Sequence, residues 1–226
     1  MSGKPQYDES AVLKAATGVF WRHGYANASV SDLTEATGLS RSSLYQRFQD
    51  KDGLFNESLQ LYTERVLARM KSTRVQTSKA SVEALLREFL PKESDVTRPS
   101  GCLISRSNAE QEGLSAAGKS AANAAACKQR QIFLEILMDG QVAGEIERDV
   151  DVDLLAWYYF GILQSIVNLP LVGANSQTLT RLIDVAMLAW PQGKARMTVV
   201  LRLFRRHPET RWLNRLASLR SRLAYI

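Results

Sequence analysis

Apolar residues recur every three or four positions along most of this chain, which is the spacing of one buried face of an α-helix. Residues 8–25 carry the first such stripe, and Asp8 stands where it can cap that helix while Gly24 can end it. The same spacing predicts further helices over 51–72, 79–90, 114–143 and 176–190, and residues 154–172 form a nearly all-apolar helical segment. We therefore predict an all-α protein.

Between residues 29 and 50 the pattern indicates two short helices joined by a tight turn. Ser29 and Asp32 have the spacing of a capping box, and Gly38 stands where a helix ends in the left-handed conformation. Ser40 can then cap the next helix. Two helices joined by a short turn with Gly are typical of the helix-turn-helix motif. An ordinary helical hairpin with a solvated polar face is the alternative.

The second short helix has an apolar side and a side of small polar residues. Leu44 and Phe48 lie about 40° apart on a helix and define its buried side. Ser42 and Gln46 then point away from it, where hydroxyl and amide groups can hydrogen-bond to base edges, while arginines and a tyrosine hydroxyl suit phosphates. The candidate DNA-binding residues are Ser29, Ser40, Arg41, Ser42, Ser43, Tyr45, Gln46, Arg47 and Lys51.

The stretch from residue 11 to residue 55 resembles the N-terminal domain of TetR-family transcriptional regulators. It contains A-A-x-x-x-F, G-Y, S-V-x-D-L, A-x-G-L-S, S-L-Y-x-R-F and K-D-x-L, and G-C-L-I at 101–104 is similar to one subgroup of that family. The resemblance implies a three-helix DNA-binding head on a helical body that binds a small molecule and dimerises. It also implies DNA contacts by Ser42, Ser43, Tyr45 and Gln46, and backbone contacts by Ser29, Arg41 and Lys51. The run Arg-Ser-Ser at 41–43 departs from the usual family pattern, so the operator sequence cannot be transferred from relatives.

We expect three parts in the chain: a DNA-binding head at 1–50, a ligand-binding and dimerisation body at 51–191, and a basic extension at 192–226. The net charge of +6 comes from the extension, because residues 192–226 carry nine basic side chains and one acidic one, whereas the first 191 residues carry 20 basic and 22 acidic. DNA binding by the head must therefore depend on a few locally placed cations. For the extension, packed helices, an arm that contacts DNA phosphates or an anionic membrane, and a non-native addition remain open.

Residues 154–172 are apolar on nearly all sides, so a membrane span is one alternative. Gln164, Ser165, Asn168 and Pro170 argue against it, and we predict no integral membrane span. A helix that is apolar all round in a soluble protein is buried all round, here between its own body and a second subunit. The helix predicted at 176–190 would complete a four-helix homodimer interface. The candidate interface residues are Leu155, Ile162, Leu179, Leu182, Ile183, Ala186, Met187 and Trp190.

A small-molecule inducer of unknown identity is the expected effector. Trp157, Tyr158 and Phe160 are candidates for an aromatic pocket, with Ser107 and Gln111 as its polar contacts, and plain core packing is the alternative for each of them. We expect the ligand to move the helix that begins at Lys51 and so to change the separation of the two heads on a palindromic operator in double-stranded DNA.

Other classes of function are less well supported by the residues. The motifs of serine hydrolases, zinc proteases and nucleotide-binding enzymes are missing, so we expect neither an enzyme nor a cofactor. His23 and His207 share no metal-binding motif. Two cysteines and no secretory pattern at the start favour the cytoplasm. Cys102 as a thiol sensor of oxidants or electrophiles, and sequence-nonspecific nucleic-acid binding, remain as alternatives.

Overall fold

A computed structural model describes residues 7–91 and 99–191. Within these two ranges the chain is helical and contains no strand, which confirms the all-α prediction. Short 3₁₀ turns at Gln111–Gly113 and Leu169–Val172 lie between helices. The α-helices are α1 (Glu9–Asn27), α2 (Val30–Thr37), α3 (Arg41–Phe48), α4 (Lys51–Lys71), α5 (Ser78–Glu88), α6 (Leu103–Ala109), α7 (Ala116–Val142), α8 (Val152–Asn168) and α9 (Ser176–Met187).

Local side chains begin and end the short helices as predicted. The Ser29 hydroxyl accepts the Asp32 backbone N–H, and the Asp32 carboxylate accepts the Ser29 backbone N–H, so the capping box at α2 is complete. Ser40 caps α3, and the Asp50 carboxylate caps α4. Gly38 adopts a left-handed conformation with φ 70° at the end of α2. Each of these bonds satisfies a backbone group that a helix end leaves unpaired.

The first helix does not stop at Gly24 as the sequence suggested. It kinks there, with φ 77° at Gly24, and helical residues continue to Asn27. The positive φ favours glycine at this position, and the carboxylate of Glu110 lies next to it, where a β-carbon would be. The kink therefore brings the end of α1 directly onto the C-terminal end of α6.

Helices α1, α2 and α3 and the first turns of α4 form the head. Phe20 of α1 packs edge-on against Phe55 of α4, with ring centroids 5.2 Å apart, and Tyr25 lies 5.0 Å from the same ring. Leu33 of α2 and Leu44 of α3 are buried in the same core. Since α4 begins in this core and continues against α7, it belongs to both parts of the chain, and the division at residue 50 stays a prediction.

The body is built around α7, which packs against α4, α5, α6 and α8. The ring of Phe133 on α7 stacks with Tyr159 on α8 at 6.4 Å, and Trp190 lies 6.2 Å from Tyr159. Among the described residues, one segment, Val152–Val172, is long and apolar enough to cross a membrane by composition alone. Here its inner face, with Ala156 and Leu163 fully buried, is part of the helical body.

Candidate DNA-binding surface

Helix α3 is held to the head by two buried side chains and turns its polar residues outward. Leu44 and Phe48 are 3% and 2% exposed, as expected for the anchoring side. On the other side Ser42 and Gln46 are exposed, together with Arg41. Ser43 and Tyr45 are half-buried at the edges. The side chains predicted to reach base edges are therefore free of the core.

Three serine hydroxyls lie together at the N-terminus of α3. The Oγ atom of Ser40 accepts the backbone N–H of Ser43 and lies 2.9 Å from the hydroxyls of both Ser42 and Ser43. Ser40 is thus first a helix cap, and Ser29 has the same role at α2. A helix N-terminus carries a partial positive charge and favours anions, so this end of α3 suits contact with phosphate oxygens or base acceptors.

The two arginines of α3 have different surroundings. The guanidinium group of Arg47 makes two 3.0 Å hydrogen bonds to the carboxylate of Glu57 and a further ion pair with Glu9. These carboxylates raise the pKa of Arg47, and Arg47 in turn lowers the pKa of Glu9. Arg47 therefore connects α1, α3 and α4 within the head, which is a structural role that the sequence-based assignment to DNA did not foresee. Arg41 has no carboxylate partner among the described residues, and its guanidinium lies 5.3 Å from the Tyr45 ring centroid.

Lys51 lies at the start of α4, beside the end of α1. Its ammonium nitrogen is 4.5 Å from the ring centroid of Tyr25, whose hydroxyl donates to the carboxylate of Asp52. Burial lowers the pKa of Lys51, which Asp52 partly offsets, while burial and the Asp52 carboxylate raise the pKa of Tyr25. Lys51 is half-buried and keeps its place among the candidate phosphate contacts.

The junction between α3 and α4 is tighter than the sequence indicated. Gln49 has a positive φ of 68°, and the Asp50 N–H donates to the Phe48 carbonyl across it at 2.8 Å. That same carbonyl lies where a β-carbon of Gly53 would be. Positive φ is uncommon for a residue other than glycine and is kept only where the surroundings enforce it. The junction therefore constrains the orientation of α3 relative to α4, and Gly53 is a structurally required position that the K-D-x-L pattern covered without identifying.

The predicted dimer interface needs correction. Four stripe residues of α9 face the subunit's own core, and so does Trp190, three residues after the helix ends. Leu155, Ile162 and Leu182 are half-buried and remain candidates. An amphipathic stripe marks a buried face, but its spacing does not say whether the same subunit or another one covers it. The residues that lie inside the subunit are Leu179, Ile183, Ala186, Met187 and Trp190.

The predicted pocket residues do not converge on one cavity. Trp157 and Tyr158 are 52% and 37% exposed on the outer side of α8, and Phe160 is half-buried beside Trp157. The hydroxyl of Ser107 is buried and donates to the Leu103 carbonyl of its own helix. The aromatic run on α8 is divided between both sides of the helix because neighbouring positions point about 100° apart.

Gln111, a predicted polar contact of the pocket, is hydrogen-bonded within the body, and Cys102, the candidate thiol sensor, is buried. Gln111 lies in a 3₁₀ turn and donates to the side-chain oxygens of Asn108 and Asn123, so its amide joins the start of α7 to α6. Cys102 precedes α6 and is 6% exposed, whereas Cys127 on α7 is exposed. A buried thiol is poorly placed to meet electrophiles.

Known proteins share this arrangement. Residues 12–58 match the family model described as bacterial regulatory proteins, tetR family. The HTH-type transcriptional repressor ComR of Escherichia coli (strain K12) is 28% identical over 195 residues, which cover 84% of this chain and 92% of ComR. The repressor DhaR of Mycobacterium sp. (strain GP1) is 24% identical over 178 residues, which cover 79% of this chain and 89% of DhaR.

A solved structure extends the similarity to the body. The TetR family transcriptional regulator CifR, as a cysteine mutant complexed with 26-bp double-strand operator DNA, is 28% identical and has a TM-score of 0.74, covering 84% of this chain and all of the CifR chain. These relatives are transcriptional regulators rather than enzymes. Residues 12–58 thus form a tetR-family regulatory domain, and the chain as a whole resembles TetR-family transcriptional regulators in its helix-turn-helix head and helical body.

Proposed function

We propose that this chain is a cytoplasmic transcriptional repressor that binds a palindromic operator as a homodimer and leaves it when a small molecule binds to the body. The observation that carries the proposal is the exposed side of α3, where Ser42 and Gln46 face outward from a helix anchored by Leu44 and Phe48. Serine and glutamine can hydrogen-bond to base edges in the major groove. ComR and DhaR are named repressors, and CifR is described in complex with operator DNA.

An exposed apolar surface on the body supports the homodimer. Leu154 and Trp157 on α8 are 65% and 52% exposed, and Val185 and Leu188 on or just after α9 are 62% and 75% exposed. We call these four residues the outer apolar face. Gly161 is exposed on the same helix, and nothing lies within 4 Å of the place where its β-carbon would be, so another backbone can come close. Exposed apolar side chains on two helices that pack together indicate a partner, and a second copy would cover them symmetrically.

The dimer makes operator binding sensitive to the body. Two recognition helices enter successive major grooves only when they are about 34–36 Å apart. Helix α4 starts in the head and packs against α7, and the Trp21 indole N–H donates to the Gly101 carbonyl at 3.2 Å, so α1 is tied to the segment before α6. A ligand that shifts α4 or α6 therefore changes the separation of the heads, with a coupling of about 1–3 kcal/mol typical of such systems.

Selection of bound sequences from a random pool of double-stranded DNA tests the proposal. We expect a palindrome, and in mobility shift assays with it we expect Gln46→Ala to lose about 1–3 kcal/mol of discrimination against a changed base pair. Gln131→Ala, at an exposed position of α7, is the matched control and should bind as the parent does. A pool that yields no preferred sequence, with a steep dependence on salt, would instead indicate the sequence-nonspecific binder.

The thiol-sensor alternative has a test of its own. Because Cys102 is buried, we expect the Cys102→Ser protein to bind the operator and respond to electrophiles as the parent does.

The basic extension at 192–226 lies outside the described residues. Truncation after Pro191 is expected to leave a folded dimer if the head and body suffice for operator binding.

A further inference from the structure

Among the buried polar atoms that have no hydrogen-bond partner in the described part of the chain, two lie on α7 and α8 of the body. They are the side-chain oxygen Oε1 of Gln129 and the hydroxyl of Tyr159. Gln129 is 2% exposed and Tyr159 is fully buried. A buried polar group without a partner costs stability, and in native proteins such groups are few and usually have a purpose.

Gln129 lies on the buried side of α7, and Tyr159 lies on the buried side of α8, which packs against α7. Gln129 and Phe133 lie one turn apart on the buried side of α7. The Phe133 ring stacks with Tyr159 at 6.4 Å, and Trp190 lies on Tyr159 at 6.2 Å. An amide and a phenol hydroxyl are thus set among aromatic and aliphatic side chains, which is the usual composition of a small-molecule site.

The other unpartnered atoms have different surroundings. The hydroxyl of Ser58 lies on α4. The backbone carbonyl of the same residue accepts a hydrogen bond from the Thr17 hydroxyl of α1, so Ser58 belongs to the contact between α1 and α4. Asn56 and Glu110 are only half-buried. Gln129 and Tyr159 are therefore the deeply buried pair within the body.

The chemistry of the pair limits what it can bind. The oxygen of an amide only accepts hydrogen bonds, so a ligand must offer it an N–H or O–H group. Burial raises the pKa of Tyr159, so its hydroxyl stays protonated and can both donate and accept. The fully buried polar side chains of the described residues include no Asp, Glu, Lys or Arg. An ionised ligand group would have no counter-charge there, so a neutral ligand is favoured.

We propose that Gln129 and Tyr159 are the polar anchors of the effector site, and that the effector is a small neutral molecule with an aromatic or aliphatic body and an alcohol, phenol or primary amide group. The polar group of the ligand donates a hydrogen bond to Oε1 of Gln129. It forms a second hydrogen bond with the Tyr159 hydroxyl, which can donate or accept. This assignment rests on the proposed function, because it names the ligand that releases the repressor from DNA.

The first test needs no ligand. Thermal unfolding of Tyr159→Phe and of Gln129→Met should give a Tm equal to or above that of the parent, because each change removes an unpaired polar atom at nearly constant volume. Tyr25→Phe is the matched control, since its hydroxyl has a partner in Asp52, and its Tm should fall by about 2–4 °C. A fall of that size in Tyr159→Phe or Gln129→Met overturns the proposal, because the atom would then have a structural partner.

The second test identifies the ligand class. The probes are neutral alcohols, phenols and primary amides such as 4-ethylphenol, each paired with its O-methyl or N,N-dimethyl counterpart. At least one probe should raise the Tm of the parent, and its methylated counterpart should bind at least tenfold more weakly. The Tyr159→Phe/Gln129→Met double variant should also bind the probe at least tenfold more weakly than the parent does. Equal binding by the double variant, or no stabilising probe in the set, overturns the assignment.

Operator binding separates this inference from the proposed function. The double variant should bind the selected palindrome as the parent does but should not be released by the probe. If it is released at the same probe concentration as the parent, the site lies elsewhere although the protein is still a repressor. If neither protein prefers any DNA sequence, the proposed function fails whatever the outcome of the ligand tests.

Discussion

Arg41 and Arg47 stand on the same recognition helix, and we predict opposite consequences when each is replaced by glutamine. Arg41 is exposed and has no carboxylate partner among the described residues, so it is free to neutralise a DNA phosphate. Arg47 is paired with Glu57 and Glu9 inside the head. Arg41→Gln should weaken the salt dependence of operator binding, whereas Arg47→Gln should leave that dependence unchanged and reduce stability.

The size of the effect follows from how many DNA phosphates the variant no longer neutralises. The logarithm of the association constant falls with the logarithm of salt concentration with a slope of about −0.9 per neutralised phosphate. A homodimer contains Arg41 twice, so Arg41→Gln should reduce the slope by about 1.8. Between 50 and 200 mM salt, the ratio of the parent's association constant to that of Arg41→Gln therefore changes about twelvefold. The expected slope change for Arg47→Gln is close to zero.

The measurements are operator Kd values over a series of salt concentrations, together with thermal unfolding of each variant. Arg47→Gln should lower stability by about 1 kcal/mol, because exposed and half-exposed ion pairs contribute modestly and a paired carboxylate is left behind. Arg41→Gln should unfold at the parental temperature. Equal slope changes for the two variants would show that the ion pairs of Arg47 do not persist on DNA. An unchanged slope in Arg41→Gln would show that Arg41 does not neutralise a phosphate.

Acid titration provides an independent check of the Arg47 pairing. Arg47 lowers the pKa of Glu9 below its ordinary value of 4.5. The contribution of this pair to stability is therefore complete above the unfolded-state pKa and is lost as the pH falls through the lower, folded-state pKa. Arg47→Gln should show a shallower loss of stability on acidification than the parent. The same acid profile in both proteins would contradict the pairing.

Three further predictions concern single positions. Ser40→Ala removes the cap that accepts the Ser43 N–H, and should cost about 1 kcal/mol in unfolding assays; no loss would mean that another group caps α3. Gly53→Ala places a methyl group against the Phe48 carbonyl, so it should lower the free energy of unfolding by about 1–3 kcal/mol and weaken operator binding. Unchanged binding would show that the junction can relax. Leu188→Glu charges the outer apolar face and should give a folded monomer in sedimentation, with operator binding lost; a dimer would place the interface elsewhere.

Local chemistry made the head predictable. Ser29, Gly38, Ser40 and Asp50 cap or end helices through groups no more than four residues away, so sequence spacing was sufficient to place α2, α3 and the start of α4. The outward side of α3 followed from helical periodicity alone, given Leu44 on its inward side.

Contacts between distant parts of the chain could not be deduced in the same way. Arg47 was predicted to bind DNA because nothing in the sequence shows that Glu9, 38 positions away, comes to meet its guanidinium group. The contact between Gly24 and the carboxylate of Glu110, which belongs to the body, is likewise not visible in the spacing of the sequence.

The sequence alone determined that this chain is helical, where its helices begin, and which side of α3 is polar, because those properties depend on residues within one or two helical turns. Only the tertiary structure decided that the stripe of α9 faces inward, that Trp157 faces outward, and that Gln129 and Tyr159 are buried with a polar atom unpaired among the described residues. Periodicity identifies a buried face, but which helix covers that face depends on how distant segments pack.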